Sequence, residues 1–276
     1  MDVPRTYPSG VPCWIDIEPI DTEAAQQFYG GLFGWKFENA MPADAPGHYL
    51  IAQLDGSDVA AIASREPVST GQWNTYIAVD DVDATTVSAE AAGAELTSQP
   101  RDAGPGGRWA EVVDPTGGRC RLWQARARLG AQIVNGAGAW NFSDLHTGDP
   151  DGARAFYERL FGWEVGEIGG GAALWRRPGY GEHLAATSDP GIHERQEGVA
   201  PPGFADAIAF LAPLADGEEP HWHVTFAVSD RDESVLRADK LGATLVSGPT
   251  DDQWTRSAVV RDPQGAVFTL SQFDPQ

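Results

Sequence analysis

Phe28-Tyr29-Gly30-Gly31-Leu32-Phe33-Gly34-Trp35 is the stretch on which the fold turns, because it returns as Phe156-Tyr157-Glu158-Arg159-Leu160-Phe161-Gly162-Trp163. The offset is 128 at both ends (156 less 28, 163 less 35), and Asp16 maps to Asp144, Asp21 to Asp149 and Gly34 to Gly162 at the same spacing. A repeat of this length marks a tandem duplication. A second shared block, Asp114-Pro115-x-Gly117 and Asp262-Pro263-x-Gly265, recurs at an offset of 148 (262 less 114), so the second copy has gained about 20 residues between the blocks.

Working outward in the first copy, Val11 to Glu18 alternates as a strand, with Trp14, Asp16 and Glu18 on one face. Asp21 and Thr22 are candidate N-caps. Ala25, Phe28, Tyr29 and Leu32 then fall at i, i+3, i+4 and i+7, one apolar helix face that Gly34 ends. Short strands are expected near Lys36 to Asn39, His48 to Leu54 and Val59 to Arg65, separated by Pro, Gly and Asp-Gly turns. The strand-helix-three-strand unit then repeats: Trp73 to Val79, a helix over Val82 to Ala92, and strands at Glu95 to Ser98, Arg108 to Val113 and Arg119 to Gln124. Asp114-Pro115-Thr116-Gly117 reads as a structural type I turn.

Ala125 to Gly138 breaks the pattern, which places domains at 1–126 and 139–276 with a linker at 127–138. The second copy opens at Ala139 to His146, and Asp149-Pro150 supplies an N-cap and a first-turn proline. Strands are expected near Trp163 to Glu167, Ala172 to Arg176 and His183 to Thr187. An inserted segment follows at 188–220, whose apolar island Phe204 to Leu211 suits a lid, an added strand or a seam between the halves. His221 to Val228, a helix over Asp230 to Leu241 and three further strands complete the copy.

With 276 residues there is room for two domains, and 42% hydrophobic and 10% aromatic residues describe globular ones. The formal charge of −21 is spread along the chain, which disfavours nucleic acid and anionic membranes as partners. No apolar run has the length of a membrane span and the first ten residues lack signal-peptide character, so a soluble, cytoplasmic protein is expected. Cys13 and Cys120 are too few for a disulfide framework and are expected as small buried hydrophobes.

The paired units, the Phe-Tyr-x-x-Leu-Phe-Gly-Trp helix ends and the Asp-Pro-x-Gly turns resemble the glyoxalase/bleomycin-resistance/dioxygenase group, the vicinal oxygen chelate superfamily, over nearly the whole chain. Two-domain actinobacterial chains of this type are similar and are often labelled hydroxylases or glyoxalase-like antigens, a label that is not a demonstrated activity. The resemblance implies an α+β fold of two tandem domains. Each would have paired βαβββ units whose curved mixed sheets form a cup holding the ligand, and the two domains would pair within the chain.

Enzymes of the family carry metal ligands on the first and last strands of each unit. The resemblance places those positions on Trp14, Asn74, Arg121 and a residue within Val59 to Ile62 in the first half. In the second half they fall on Phe142, His223, Thr269 and His183 or a near neighbour. The first set is unsuited to a metal, since a guanidinium is no ligand and Asn is a weak one. Five of the six histidines lie in the second half, so a divalent metal there, held by His183 and His223, is the alternative to a protein without cofactor.

The inward residues suit a small-molecule site instead: Trp14, Asp16, Asn74, Tyr76, Trp109 and Arg121 in the first half, with Phe142, Trp175, Thr225, Trp254 and Thr269 in the second. Asp144, His146 and His223 are the acid-base candidates. Two functions are expected to compete. One is metal-independent binding of a hydrophobic or aromatic metabolite, of the natural-product or antibiotic-resistance type. The other is a lyase, isomerase or cyclase acting on a natural product. A third reading makes one half a degenerate structural partner.

Overall fold

The computed structural model describes residues 3–42, 44–64, 71–169 and 172–275. In chain order the first copy gives β1 (Pro12–Ile17), α1 (Thr22–Phe33), β2 (Lys36–Asn39), β3 (Tyr49–Leu54), β4 (Ser57–Ala63), β5 (Trp73–Ala78), α2 (Val82–Ala91), β6 (Glu95–Asp102), β7 (Gly107–Val113) and β8 (Arg119–Ala125). The second gives β9 (Trp140–Thr147), α3 (Pro150–Phe161), β10 (Glu164–Gly169), β11 (Ala172–Arg176), α4 (Tyr180–Ala186), α5 (Ile192–Gln196), a 3-10 turn (Phe204–Asp206), β12 (Ala207–Pro213), β13 (His221–Ala227), α6 (Arg231–Lys240), β14 (Thr244–Asp251), β15 (Thr255–Arg261) and β16 (Val267–Phe273). The strands form two mixed eight-stranded sheets, ordered β2-β3-β4-β1-β5-β8-β7-β6 and β10-β11-β12-β9-β13-β16-β15-β14. This is the expected α+β architecture of tandem βαβββ pairs.

Two expectations in the second copy are corrected. His183 to Ala186 is part of helix α4, with Thr187 its C-cap, and not a strand: Gly179 enters the helix with φ +83°, and Tyr180 and Leu184, one turn apart, are both buried. The apolar island then supplies the missing strand. Ala207–Pro213 pairs antiparallel with β11 and parallel with β9, so of the three readings it is the added strand, and the extra residues are the short helices before it. The expected end of β4 at Arg65 lies outside the described residues.

The chain divides into two compact units that each draw on both copies. The first unit takes 1–13, 75–130 and 143–222; the second takes 14–74, 131–142 and 223–276. The repeated motif explains the composition of each. In the first unit, Tyr157 of α3 donates its hydroxyl to Asp114 Oδ2 (2.8 Å) and accepts from Trp222 Nε1 (3.3 Å). In the second, Tyr29 of α1 donates to Asp262 Oδ2 (2.9 Å) and accepts from Trp73 Nε1 (3.2 Å). The motif tyrosine of one copy thus locks the Asp-Pro-x-Gly turn of the other. Burial first, and then the adjacent carboxylate, hold both phenols well above the ordinary tyrosine range, so they stay donors.

Each turn aspartate uses its remaining oxygen on its own loop. Asp114 Oδ1 accepts from the backbone of Thr116 and Gly118, and Asp262 Oδ1 from Gln264 and Ala266. The motif tryptophans repeat the logic: Trp163 Nε1 donates to the Gly10 carbonyl in the first unit and Trp35 Nε1 to the Gly138 carbonyl in the second, both at 2.7 Å. Both glycines have left-handed backbones, and a Cβ would stand 3.1 Å from the side chain of Phe161 or the backbone of Phe33. Around these bonds pack Phe156, Trp163, Trp175 and Trp222 in one unit and Phe28, Trp35, Phe226 and Phe268 in the other, all buried. Asp21 and Asp149 cap α1 and α3 as expected. Cys13 and Cys120 are buried free thiols whose ionisation is pushed up by burial.

Candidate functional site

Within the second unit, strand alternation brings Trp14 and Asp16 of β1 to the same face, against Tyr49 of β3 and Asn74 of β5. Trp14 Nε1 donates to Tyr49 Oη (2.9 Å), Tyr49 Oη donates to Asp16 Oδ2 (3.2 Å), and Asn74 Nδ2 donates to Asp16 Oδ1 (2.8 Å). Asp16 is 1% exposed, whereas Tyr49 and Asn74 are half-buried. A buried carboxylate is therefore held by donors that themselves reach solvent. Tyr49 was not singled out from sequence; its only signal is a strand position between turns.

Within the first unit, Tyr76, Trp109 and Arg121 come together around a residue also missed from sequence, Glu111. Arg121, 2% exposed, donates Nε to Glu111 Oε2 (3.0 Å) and Nη1 to Tyr76 Oη (2.9 Å). Its guanidinium lies 5.4 Å from the Tyr76 ring centroid and 5.0 Å from that of Trp109, within cation–π range. Glu111 Oε1 also accepts from Arg119 Nη1 (2.7 Å) and Thr97 Oγ1 (3.0 Å). Burial raises the Glu111 carboxyl, but Arg121 and Arg119 outweigh it and hold the group below its ordinary range.

The second-half candidates separate. In the second unit His223 Nε2 meets Thr269 Oγ1 at 2.8 Å and Thr225 lies in register with Thr269. Phe142 is half-buried there, and Trp254 sits in the turn before β15, its backbone N–H donating to Asp252 Oδ1. In the first unit Asp144 Oδ1 accepts from the Phe210 N–H (3.2 Å), and Trp175 is fully buried in the core. His183 Nε2 meets Thr6 Oγ1 (3.0 Å) from α4. His146 Nδ1 lies 3.1 Å from Glu218 Oε1, and His221 Nε2 lies 3.6 Å from the same oxygen. Burial pushes the His146 imidazole down, against the opposing pull of Glu218.

A metal at the positions implied by the fold does not fit these residues. The indole of Trp14 and the phenyl ring of Phe142 offer no metal-binding lone pair, the Arg121 guanidinium is committed to Glu111 and Tyr76, and His223 Nε2 is paired with Thr269.

Comparison with known proteins fits this architecture. The family models for a glyoxalase-like domain and for the glyoxalase/bleomycin resistance protein/dioxygenase superfamily match residues 142–271 and 15–121. The provisionally named glyoxylase CFP32 of Mycobacterium tuberculosis is 36% identical over 275 residues, covering 98% of this chain and 97% of that one. The chain belongs to the glyoxalase/bleomycin resistance protein/dioxygenase superfamily. The anthracycline biosynthesis protein DnrV of Streptomyces peucetius is 30% identical over 96% of this chain and 94% of its own. Among solved structures, a Mn(II)-bound glyoxalase from Novosphingobium aromaticivorans is 17% identical, with a TM-score of 0.62 over 96% of this chain and 82% of that one. Homoprotocatechuate 2,3-dioxygenase from Brevibacterium fuscum, in its substrate complex, is 14% identical, with a TM-score of 0.60 over 99% and 82%. At these identities the likeness is one of fold. No helix among the described residues is long and apolar enough to cross a membrane.

Proposed function

We propose that this protein binds a small hydroxylated aromatic metabolite of the natural-product type, through hydrogen bonds and flat apolar contacts rather than through a metal at the site. The observation that carries the reading is the Trp14–Tyr49–Asp16–Asn74 group. A buried carboxylate with both oxygens occupied by half-exposed donors is a preformed polar anchor, and a ligand hydroxyl exchanging with Tyr49 or Asn74 keeps the carboxylate satisfied. The buried indole of Trp14 backs the group from the core side through its bond to Tyr49. The similarity to DnrV, named for anthracycline biosynthesis, supports the ligand class.

The test is a titration of the chelated protein with 1,8-dihydroxyanthraquinone, followed by tryptophan fluorescence and by mass spectrometry of the ligand. The expected result is saturable quenching with an unchanged ligand, weakened at least about tenfold, or about 1.4 kcal/mol, in Asp16→Asn. The absence of saturable binding across a series of such quinones overturns the reading. Conversion of the ligand transfers it to the lyase, isomerase or cyclase alternative. The imidazoles paired in the second copy, His223 with Thr269 and His146 with Glu218, then become the candidate acids and bases, together with Asp144, two residues before His146.

A further inference from the structure

We propose that His146, Glu218 and His221, all in the first unit, form a site for a divalent transition metal of the zinc, cobalt or nickel class. The site is separate from the strand positions at which the fold would place one, and it stands independently of the ligand-binding reading.

The three side chains come from two stretches of backbone. His146 comes from the end of β9, His221 from the start of β13, and Glu218 from the turn before it. That turn is closed by the Glu218 N–H donating to the Ala215 carbonyl, with Gly217 at φ +77°, a backbone that favours glycine. Glu218 Oε2 accepts from the Ala215 N–H (2.8 Å), which points Oε1 at the two imidazoles. All three ligating atoms lie within 4.8 Å of one another, and the imidazole centroids are 4.8 Å apart.

The hydrogen-bond partners decide the chemistry. His221 Nδ1 lies 2.9 Å from the Glu219 carbonyl oxygen, which accepts only, so the proton sits on Nδ1. Nε2 then faces Glu218 Oε1, 3.6 Å away, as an acceptor in the neutral ring and a donor in the protonated one. Either a proton or a metal ion between the two atoms satisfies both. A backbone carbonyl fixing the distal nitrogen is also the arrangement by which proteins orient ligating histidines. Zinc bonds of about 2.0–2.2 Å in a tetrahedron separate neighbouring donors by roughly 3.3–3.6 Å. The distances from Glu218 Oε1 here are 3.1 Å to His146 Nδ1 and 3.6 Å to His221 Nε2. Two imidazoles and one carboxylate leave a coordination position open, the ligand count of catalytic rather than structural sites. The three residues are each about a quarter exposed or less, so a metal has a path in.

The experiment uses the full chain without an affinity tag, stripped by chelator and titrated with Co²⁺ while the visible ligand-field absorption is recorded; Zn²⁺ displacement follows. One Co²⁺ per chain is expected, displaced by Zn²⁺. Affinity should fall at least tenfold in His221→Ala and in Glu218→Gln, each checked for an unchanged circular dichroism melt, while His223→Ala keeps the stoichiometry. Should His221→Ala melt early, His146→Gln replaces it. No Co²⁺ binding, meaning that a proton alone bridges the pair, overturns the proposal. So does binding that survives both ligand variants, or binding lost only in His223→Ala.

Discussion

Within the first unit β5 and β8 set Tyr76 beside Arg121, and within the second the corresponding β13 and β16 set Thr225 beside Thr269. The register is the same and the chemistry is not. In one unit the pair belongs to a buried, fully occupied Arg121–Glu111 ion pair with two aromatic rings; in the other a hydroxyl meets the His223 imidazole. The duplication has kept the frame of caps, turns and motif aromatics, while the side chains on the sheet faces have diverged. What the chain does is therefore written on those faces and not in the fold.

The comparison breaks first at the frame. Phe28→Ala and Phe156→Ala each truncate a buried ring of the repeated motif, 4% and 3% exposed, and each should cost about 3–5 kcal/mol in chemical denaturation. A large difference between them would show that the two frames are not equivalent. In the ion pair, Glu111→Gln leaves the Arg121 guanidinium buried without its counter-charge and should destabilise by about 3–5 kcal/mol. Thr269→Val, at the diverged position of the other unit, should cost only about 0.5–1.5 kcal/mol.

Acid sharpens the same contrast. Arg121 and Arg119 hold Glu111 below its ordinary value of 4.5, so its contribution is present above that value and is lost as the pH falls through the lowered one. The gap in stability between the unaltered chain and Glu111→Gln should narrow below pH 4.5, and a gap independent of pH would refute the ion-pair account. In the frame itself, Tyr29→Phe and Tyr157→Phe each remove a buried hydroxyl that donates to a turn aspartate and accepts from an indole, and should cost about 1–3 kcal/mol apiece, equally in the two units.

Much of the frame was legible because local rules write it. The 128-residue repeat, the i, i+3, i+4, i+7 faces of α1 and α3, the aspartate N-caps and the Asp-Pro-x-Gly turns all stand in the sequence as short-range patterns. His183 misled because a seven-residue helix shows hardly two turns of period, and a strand was due at that point of the repeat. The site was legible only in part. Trp14, Asp16 and Asn74 follow from alternation on strands, but Tyr49, Glu111 and Glu218 reach their partners from other strands or from a turn.

The sequence by itself determined two copies of a paired strand-helix-sheet unit, with a polar face on each opening strand, because helix and strand periodicities are local and the chain repeats them. Tertiary structure alone decided that Tyr29 would close on Asp262, Tyr157 on Asp114, and Glu218 on His146. Those partners are 43 to 233 residues apart, and no spacing rule links them. They meet because buried hydroxyls and carboxylates must find partners once the apolar faces have packed.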